Sequence, residues 1–373
     1  MYRWNSSLAP VDEGAAPPQR APRPEMDGVV SDSVECQKWG LSTVISTISP
    51  IGEEAPVEPI NVVVRRPLQD RIFRTVVRAA GGVTLVAMGL IFAFLVIKSY
   101  KSLRLDGLER FLTTQQFIPQ AGRFGIGSVL FNTVIVALVA SVLAFPMSIG
   151  TALYLTHYCP TSLRRLLTSL LDLMAAIPSV VFGLWGLYFL TPRQRKLSIW
   201  LTHHLGFIPI FKTSPNDHSY AGSAFLAGTV LALMIIPISA AIMREAFSQA
   251  PPGEQEGALA LGATRWGMIR TVVIPFGRGG IIGGSMLALG RALGETIAVL
   301  LLITTVFNRS TRILDSGTNT VAALIANQFG EATPLTISAL MAAGLALFVL
   351  TLIVNTLASI IVSRSRSGAA TEI

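Results

Sequence analysis

Six long apolar runs constrain this 373-residue chain more than any other feature of its sequence. A helix needs about 20 predominantly apolar residues to cross the hydrocarbon core of a bilayer. Six segments satisfy that requirement: residues 79–97, 132–155, 166–190, 222–243, 280–303 and 337–362. Charged residues make up only 13% of the chain, against about 25% in a typical soluble domain. The sequence therefore predicts an all-α, polytopic membrane protein with six transmembrane helices.

The charge and the cysteine content narrow the kinds of partner. The formal net charge is +8, but the basic residues flank apolar segments and form no stripe with interleaved aromatic residues. Nucleic acid is therefore not an expected partner, whereas the lipid bilayer and anionic solutes are. Cys36 and Cys159 lie far apart in the chain, a pattern that indicates neither a disulfide framework nor a metal site.

Composition divides the chain into a tail and a membrane domain. Residues 1–70 are rich in proline and glutamate and lack sustained periodicity, so we expect a disordered or loosely ordered N-terminal cytoplasmic tail. Residues 71–366 are expected to form the six-helix transmembrane domain, and residues 367–373 a short C-terminal tail. Lysine and arginine are more numerous on the side of the membrane that holds the N-terminus, which predicts that both termini are cytoplasmic.

Prolines interrupt three of the apolar runs, at Pro146, Pro178 and Pro237. One interpretation is ordinary kinks, tolerated because neighbouring helices satisfy the freed backbone groups. The other is helix breaks that line a pathway. Ser179 and Ser239 follow two of these prolines and are candidates to offer hydroxyl groups to a passing oxyanion, with a plain packing role as the alternative.

Two charged residues, Arg291 and Glu295, stand alone in the fifth apolar run. Four residues apart on one helix, they would share a face about one turn from each other. A central arginine costs about 2.5–3.5 kcal/mol in insertion experiments, so it persists where the site faces protein or water and serves a function. The alternatives are a role in transport and a self-contained salt bridge. Small residues surround the pair, which indicates close helix packing, either at an interface or cavity or within one subunit.

The connection over residues 244–279 is the longest on the inner side. Its sequence predicts two short helical runs that flank Gly262, the second ended by Pro275. One interpretation is an amphipathic hairpin that lies on lipid headgroups.

The spacing of this connection favours another interpretation. Counted from Glu256, it matches the pattern E-A-A-x3-G-x9-I-x-L-P of bacterial ABC importer permeases. The matching positions are Glu256, Ala258, Gly262, Val272, Ile274 and Pro275, and Gly257 stands where the pattern has alanine. The resemblance implies a coupling helix that docks into a cytoplasmic ATPase. The residues expected to contact the ATPase, or alternatively lipid, are Arg265, Arg270, Leu261, Trp266 and Ile269.

Five stretches extend the resemblance over about residues 71–366: ALGRALGETIAV, GRGGIIGGSM, DLMAAIPSVVFGLWGLYFL, MIIPISAAIMREAF and AALIANQFGEA. They resemble the permeases of phosphate-specific ABC importers, the PstC type more than the PstA type. This binding-protein-dependent type I permease family implies a non-catalytic subunit of the bacterial cytoplasmic membrane. The implied partners are a PstA-like sister permease, a PstB-like ATPase dimer and a PstS-like extracytoplasmic phosphate-binding protein. The family's intramembrane arginine and glutamate, tied to phosphate passage, correspond to Arg291 and Glu295.

No G-x-x-x-x-G-K-[ST] phosphate loop occurs in the sequence, so ATP and Mg²⁺ are expected on the partner ATPase and no cofactor on this chain. Three rival functions stand beside this one. The first is a permease for another oxyanion such as molybdate or sulfate, and the second is a membrane scaffold that senses phosphate. The third, an intramembrane enzyme, lacks a paired nucleophile and base or a metal ligand set in the apolar runs.

Overall fold

The structure, a computed structural model, describes residues 68–118, 123–214, 219–304, 306–307 and 309–366. The two predicted tails therefore lie outside the described residues, apart from the last three residues of the first, which begin a helix. Thirteen α-helices occur in the described part of the chain. They are α1 (Leu68–Asp106), α2 (Leu108–Thr113), α3 (Gly127–Leu153), α4 (Thr161–Ala176), α5 (Ser179–Trp185), α6 (Thr191–Leu205), α7 (Ala224–Ser248), α8 (Pro252–Ala260), α9 (Arg265–Met268), α10 (Ile274–Gly294), α11 (Ile297–Leu302), α12 (Val321–Gln328) and α13 (Pro334–Arg366).

Shorter elements complete the secondary structure. Three π-helical turns extend or join the helices: Tyr154–Tyr158, Gly186–Leu190 and Ile269–Val273. Two short 3₁₀ helices are Pro209–Phe211 and Phe329–Glu331. The two-residue strands β1 (Phe117–Ile118) and β2 (Arg123–Phe124) pair antiparallel. The predicted all-α class is confirmed, with this small hairpin as an addition.

Five helical segments are long and apolar enough to cross a membrane, among the residues that the structure describes. They are Asp70–Leu105, Gly127–Tyr158, Ala224–Ser248, Arg265–Gly294 and Pro334–Leu357. A sixth crossing is available only if the pair Thr161–Ala176 and Ser179–Leu205, bent by 92°, counts as one broken span.

The third predicted span, residues 166–190, is wrong as a single helix. The chain turns at Ile177, whose backbone is extended (φ −64°, ψ 131°), directly before Pro178. Proline disfavours the helical region for the residue before it, which explains the position of the break. Pro146 and Pro237, in contrast, lie inside the continuous helices α3 and α7.

The fifth predicted span, residues 280–303, is also wrong as a single helix. α10 ends at Gly294, Glu295 has an extended backbone (φ −68°, ψ 128°), and α11 begins two residues later. Glu295 Oε1 accepts a hydrogen bond from Ala298 N at 3.4 Å, which engages an otherwise unpaired N–H of the first turn of α11. At its other end the helix starts earlier than predicted, because it is continuous from Arg265 to Gly294.

Pro275 does not end the second helical run, as the sequence had predicted. It lies inside the continuous helix, directly after Ile274 and the π-helical turn Ile269–Val273. A proline in a helix lacks an N–H and its ring clashes with the carbonyl group four residues earlier. That carbonyl belongs to Thr271, and the wider π turn accommodates the clash.

The core lies where α3, α7 and α10 pack together, with Val136, Leu231, Ile235 and Ala288 almost inaccessible to solvent. Close approach between α7 and α10 depends on glycine. A methyl group at Gly277 would lie 2.5 Å from the ring of Phe247, and one at Gly280 would overlap the side chain of Ala246.

Candidate functional site

A cavity of about 770 Å³ opens beside the core, between α7, α10 and α13. Gly283, Gly290 and Arg291 line it from α10. Ile238 lines it from α7, and the remaining wall consists of α13 and the longer side chains of α10. The glycines leave the space open, since a methyl group at Gly283 would meet no atom within 4 Å.

Arg291 lies in the last turn of α10, and its side chain is exposed to this cavity. Within the described part of the chain, the one ion pair joins Arg74 and Asp70 on α1, at 3.4 Å. The predicted alternative of a self-contained salt bridge between Arg291 and Glu295 is therefore wrong. A guanidinium near a helix C-terminus is favoured by the helix dipole, which helps to hold the charge there.

Glu295 is half-buried at the break between α10 and α11. Because the break intervenes, the two side chains do not share one helix face, contrary to the sequence prediction. Glu295 does not line the cavity. Its carboxylate instead caps the first turn of α11 through Ala298 N.

Ser179 begins α5, directly after the break at Pro178. α5 and α11 pack side by side and run in the same direction. A methyl group at Gly183 would lie 2.9 Å from Ala298 Cα, and a methyl group three residues later, at Gly186, would lie 2.9 Å from Leu302 Cδ2, four residues further along the other segment. This pairing sets the N-terminus of α5 beside that of α11. Ser179, which is half-buried, and the chain break at Glu295 are therefore brought to the same end of a helix pair.

Ser239 has a different location from the other three candidates. It is fully buried in the interface of α3 and α7, where its Oγ lies 2.5 Å from Ser148 Oγ and donates to Ile235 O at 2.9 Å. Its neighbour Ile238 is the residue of α7 that lines the cavity. The structure does not bring Ser239 to the cavity.

Three polar residues of α13 line the cavity and were missed by the sequence analysis: Thr351, Asn355 and Ser359. Their signal was present in the sequence, since polar residues at four-residue intervals in an apolar run lie on one face of a helix. A methyl group at Gly290 would lie 3.6 Å from Asn355 Oδ1, so the amide faces the turn that carries Arg291.

The connection between α7 and α10 has the predicted helix–glycine–helix form. α8 and α9 flank a turn at Gly262, which adopts a positive φ of 88°. Thr264 Oγ1 accepts a hydrogen bond from Gly267 N at 3.1 Å and caps α9. Gln255 Nε2 donates to Ala250 O at 2.9 Å and holds α8 to the short turn that follows α7.

Most of the predicted contact residues of this connection are on its surface. Leu261 is 92% exposed and Trp266 is 55% exposed. The polar members Glu256, Arg265 and Arg270 are exposed as well, whereas Ala258 is half-buried against the core. Ile269 is wrong as a contact residue, because it is fully buried with Met243 and Phe247. It belongs to the π turn that packs on α7 and cannot reach a partner.

The family model described as "Binding-protein-dependent transport system inner membrane component" matches residues 144–367. Among curated relatives, the chain is 40% identical to phosphate transport system permease protein PstC 2 of Mycobacterium tuberculosis, over 80% of this chain and 93% of that protein. It is 38% identical to PstC of Mesorhizobium japonicum, over 82% of this chain and 94% of that protein.

Solved structures show the same fold. A chain in the crystal structure of a bacterial ABC transporter involved in the import of the acidic polysaccharide alginate aligns with a TM-score of 0.53 at 19% identity. The alignment covers 82% of this chain and 99% of that chain. The helical fold, the family model and the curated relatives lead to the same assignment. This chain belongs to the type I ABC importer permeases, in the family of PstC phosphate transport system permease proteins.

Proposed function

We propose that this chain forms half of the membrane pathway of an ATP-driven importer of inorganic phosphate, with a PstA-like sister permease as the other half. The observation that carries the proposal is the guanidinium of Arg291, which lines an open cavity without an ion-pair partner in the described part of the chain. A guanidinium is a planar fork of donors that binds phosphate oxygens bidentately. Arg291 therefore offsets the loss of hydration when the anion enters the membrane.

Glu295 serves selectivity in this proposal. Phosphate keeps at least one proton at neutral pH, and a carboxylate can accept a hydrogen bond from that P–O–H group. Fully deprotonated sulfate has no such donor and is repelled by the carboxylate's charge. Glu295→Gln should therefore lower the preference for phosphate over sulfate in a competition uptake assay. Unchanged selectivity would leave Glu295 as a cap of α11 alone. Ser179 lies at the same end of the α5–α11 pair and is the hydroxyl that we assign to this end of the pathway.

The loop that contains α8 and α9 couples this pathway to ATP hydrolysis. We assign docking onto a PstB-like ATPase dimer to the exposed side chains of Leu261, Trp266, Arg265 and Arg270. ATP and Mg²⁺ bind to that dimer, and this chain holds no cofactor. In this proposal the bent segment from α4 to α6 counts as one crossing, so that six crossings place the loop and both termini on the cytoplasmic side of a bacterial cell. A PstS-like phosphate-binding protein approaches the opposite face.

The decisive experiment is ATP-dependent uptake of labelled phosphate into proteoliposomes that hold the four kinds of subunit. Arg291→Gln should abolish uptake while assembly and ATP hydrolysis persist. Arg278→Gln is the matched control, because Arg278 is exposed on the same helix and does not line the cavity. Equal loss of uptake in both variants, or normal uptake by Arg291→Gln, would remove Arg291 from the pathway.

Coupling has its own test. Leu261→Asp should release the ATPase from the purified complex, because the substitution places a charge in an apolar contact without disturbing the fold. Phe207→Asp is the control, because Phe207 is 79% exposed and lies far from the coupling loop. It is close in sequence to Ile210, whose carbonyl oxygen accepts a hydrogen bond from Ile313 N near the start of α7, whereas the coupling loop follows the other end of α7. Co-purification of the ATPase with Leu261→Asp at the normal ratio would contradict docking at this residue.

A further inference from the structure

A second polar cavity, of about 430 Å³, lies on the coupling-loop side of the molecule. It forms where the π turn Tyr154–Tyr158, the first half of α4, the end of α7 and the start of α8 meet. It is separate from the cavity at Arg291, since the two share no lining residue. None of its residues takes part in the transport chemistry described above.

The charged groups of this cavity are predominantly basic. Arg164 and Arg244 line it, and Glu245 is the carboxylate in its wall. His157 is a further lining residue, and its Nδ1 is hydrogen-bonded with Thr156 Oγ1. Glu245 is engaged, because its Oε1 accepts a hydrogen bond from Gln249 Nε2 at 3.2 Å. Arg164 donates through Nη2 to Thr156 O at 3.2 Å, which holds that guanidinium at the mouth of the cavity.

Arg244 has no such partner. Its side chain is half-buried, and within the described part of the chain it makes neither a hydrogen bond nor an ion pair. A guanidinium that is partly shielded from water and lacks a partner is unfavourable, and an anion in the cavity would lessen that penalty. Thr156 and Gln255 line the same wall, but they donate elsewhere: Thr156 Oγ1 donates to Ala152 O at 2.9 Å, and Gln255 Nε2 donates to Ala250 O at 2.9 Å. The two arginines are therefore the groups that would hold an anion.

We propose that this cavity binds a phosphoryl anion, held by Arg164 and Arg244. The chemistry fits a free phosphate or the headgroup of an anionic lipid, because both present oxygens that a guanidinium binds bidentately. The bound anion bridges α4 and α7 beside Gln255, which itself holds α8 to the turn that follows α7. Occupancy therefore braces the coupling helix against the membrane helices. The site itself does not depend on the proposed function, although its exposure to the cytoplasm rests on the topology proposed there.

The test is equilibrium binding of labelled inorganic phosphate to the full chain, co-expressed with its partner subunits and reconstituted in nanodiscs. Every variant carries Arg291→Gln, so that a phosphate site at Arg291 contributes no signal. If transport instead uses another site, its binding adds equally to all variants, and the two proposals fail separately. One set of discs contains phosphatidylcholine alone, and a second set also contains phosphatidylglycerol.

In phosphatidylcholine discs, Arg244→Gln should weaken phosphate binding about tenfold, the change expected when one charge-assisted contact is lost. Arg165→Gln is the matched control, because Arg165 is exposed beside Arg164 and does not line the cavity. Glu245→Gln should strengthen binding, because it removes the opposing charge. This gain of affinity also tests the site if Arg244→Gln fails to assemble.

The two lipid arms distinguish the sources of the anion. If a headgroup is the resident ligand, phosphatidylglycerol should displace labelled phosphate, and native mass spectrometry should find retained phosphatidylglycerol that Arg244→Gln loses. Phosphate binding and lipid retention that are both unchanged by Arg244→Gln and by Glu245→Gln would overturn the proposal.

Discussion

The two faces of α10 use small residues in opposite ways. On the face toward α7, Gly280 and Gly284 have neighbours so close that a methyl group would meet Ala246 or Ser239 O. On the face toward α13, Gly283 and Gly290 border open space beside Arg291. One glycine set brings two helices together, and the other keeps them apart. The sequence pattern G-x-x-x-G marks a helix that approaches something closely, and it leaves open which glycines do so.

The largest expected effect comes from filling the packed face. Gly280→Leu should prevent α7 and α10 from approaching, because the new side chain would occupy the space of Ala246. Overpacking of this kind costs about 1–3 kcal/mol or more. We expect loss of the folded complex, or a marked fall in its unfolding temperature, in a thermal melt of the detergent-solubilised protein.

Gly283→Leu is the matched variant on the open face, one turn along the same helix. It should leave the unfolding temperature unchanged, since no atom lies within 4 Å of a methyl group at this position. Phosphate uptake should nevertheless fall, because the leucine fills the cavity. Similar loss of stability in both variants would erase the distinction between the two faces.

A smaller effect is expected across the cavity, at Asn355. Asn355→Ala removes an amide that faces the turn of Arg291, and one neutral hydrogen bond contributes about 0.5–1.5 kcal/mol, or roughly two- to tenfold in uptake at limiting phosphate. Thr356→Ala, one residue along and outside the cavity lining, is the control. Equal uptake by the two variants would remove α13 from the pathway.

The smallest effect on transport is expected on the packed side, at Ser239. Ser239→Ala should lower the free energy of unfolding by about 1 kcal/mol, because Ser148 loses its hydroxyl partner. The affinity for phosphate and the selectivity over sulfate should not change, since Ser239 is enclosed between α3 and α7. Altered selectivity in a competition assay would show that the packed side also communicates with the anion.

Much of the fold could be predicted from local sequence signals. The apolar runs predicted the helical spans, and the glycine between two short helical runs predicted the turn at Gly262 with its positive φ. These features depend on neighbouring residues only, through hydrophobicity, capping and the conformational freedom of glycine. The same local character explains why the exposed positions Leu261 and Trp266 were anticipated.

Which positions actually break a helix depends on distant residues, and the sequence could not decide this. Pro146, Pro178 and Pro237 carry the same local signal, yet only Pro178 ends a helix. The break at Glu295 has no proline at all. It is accompanied by the close approach of α5 to α11 at Gly183, a contact between segments more than one hundred residues apart. The cavity lining of α13 depended in the same way on which helices became neighbours.

The unbroken helix from Arg265 to Gly294 has a mechanical consequence. At 1.5 Å per residue, Arg291 lies about 39 Å along the axis from Arg265, with the π turn as the one irregularity between them. A rigid helix of that length, with its N-terminal end in the coupling loop, converts a small tilt at that end into a larger displacement at Arg291. A tilt of roughly 5° about that end moves the guanidinium by about 3 Å, the length of a hydrogen bond. In the proposed mechanism, a rotation of that size would be enough to move the guanidinium of Arg291 into or out of hydrogen-bond range of an anion.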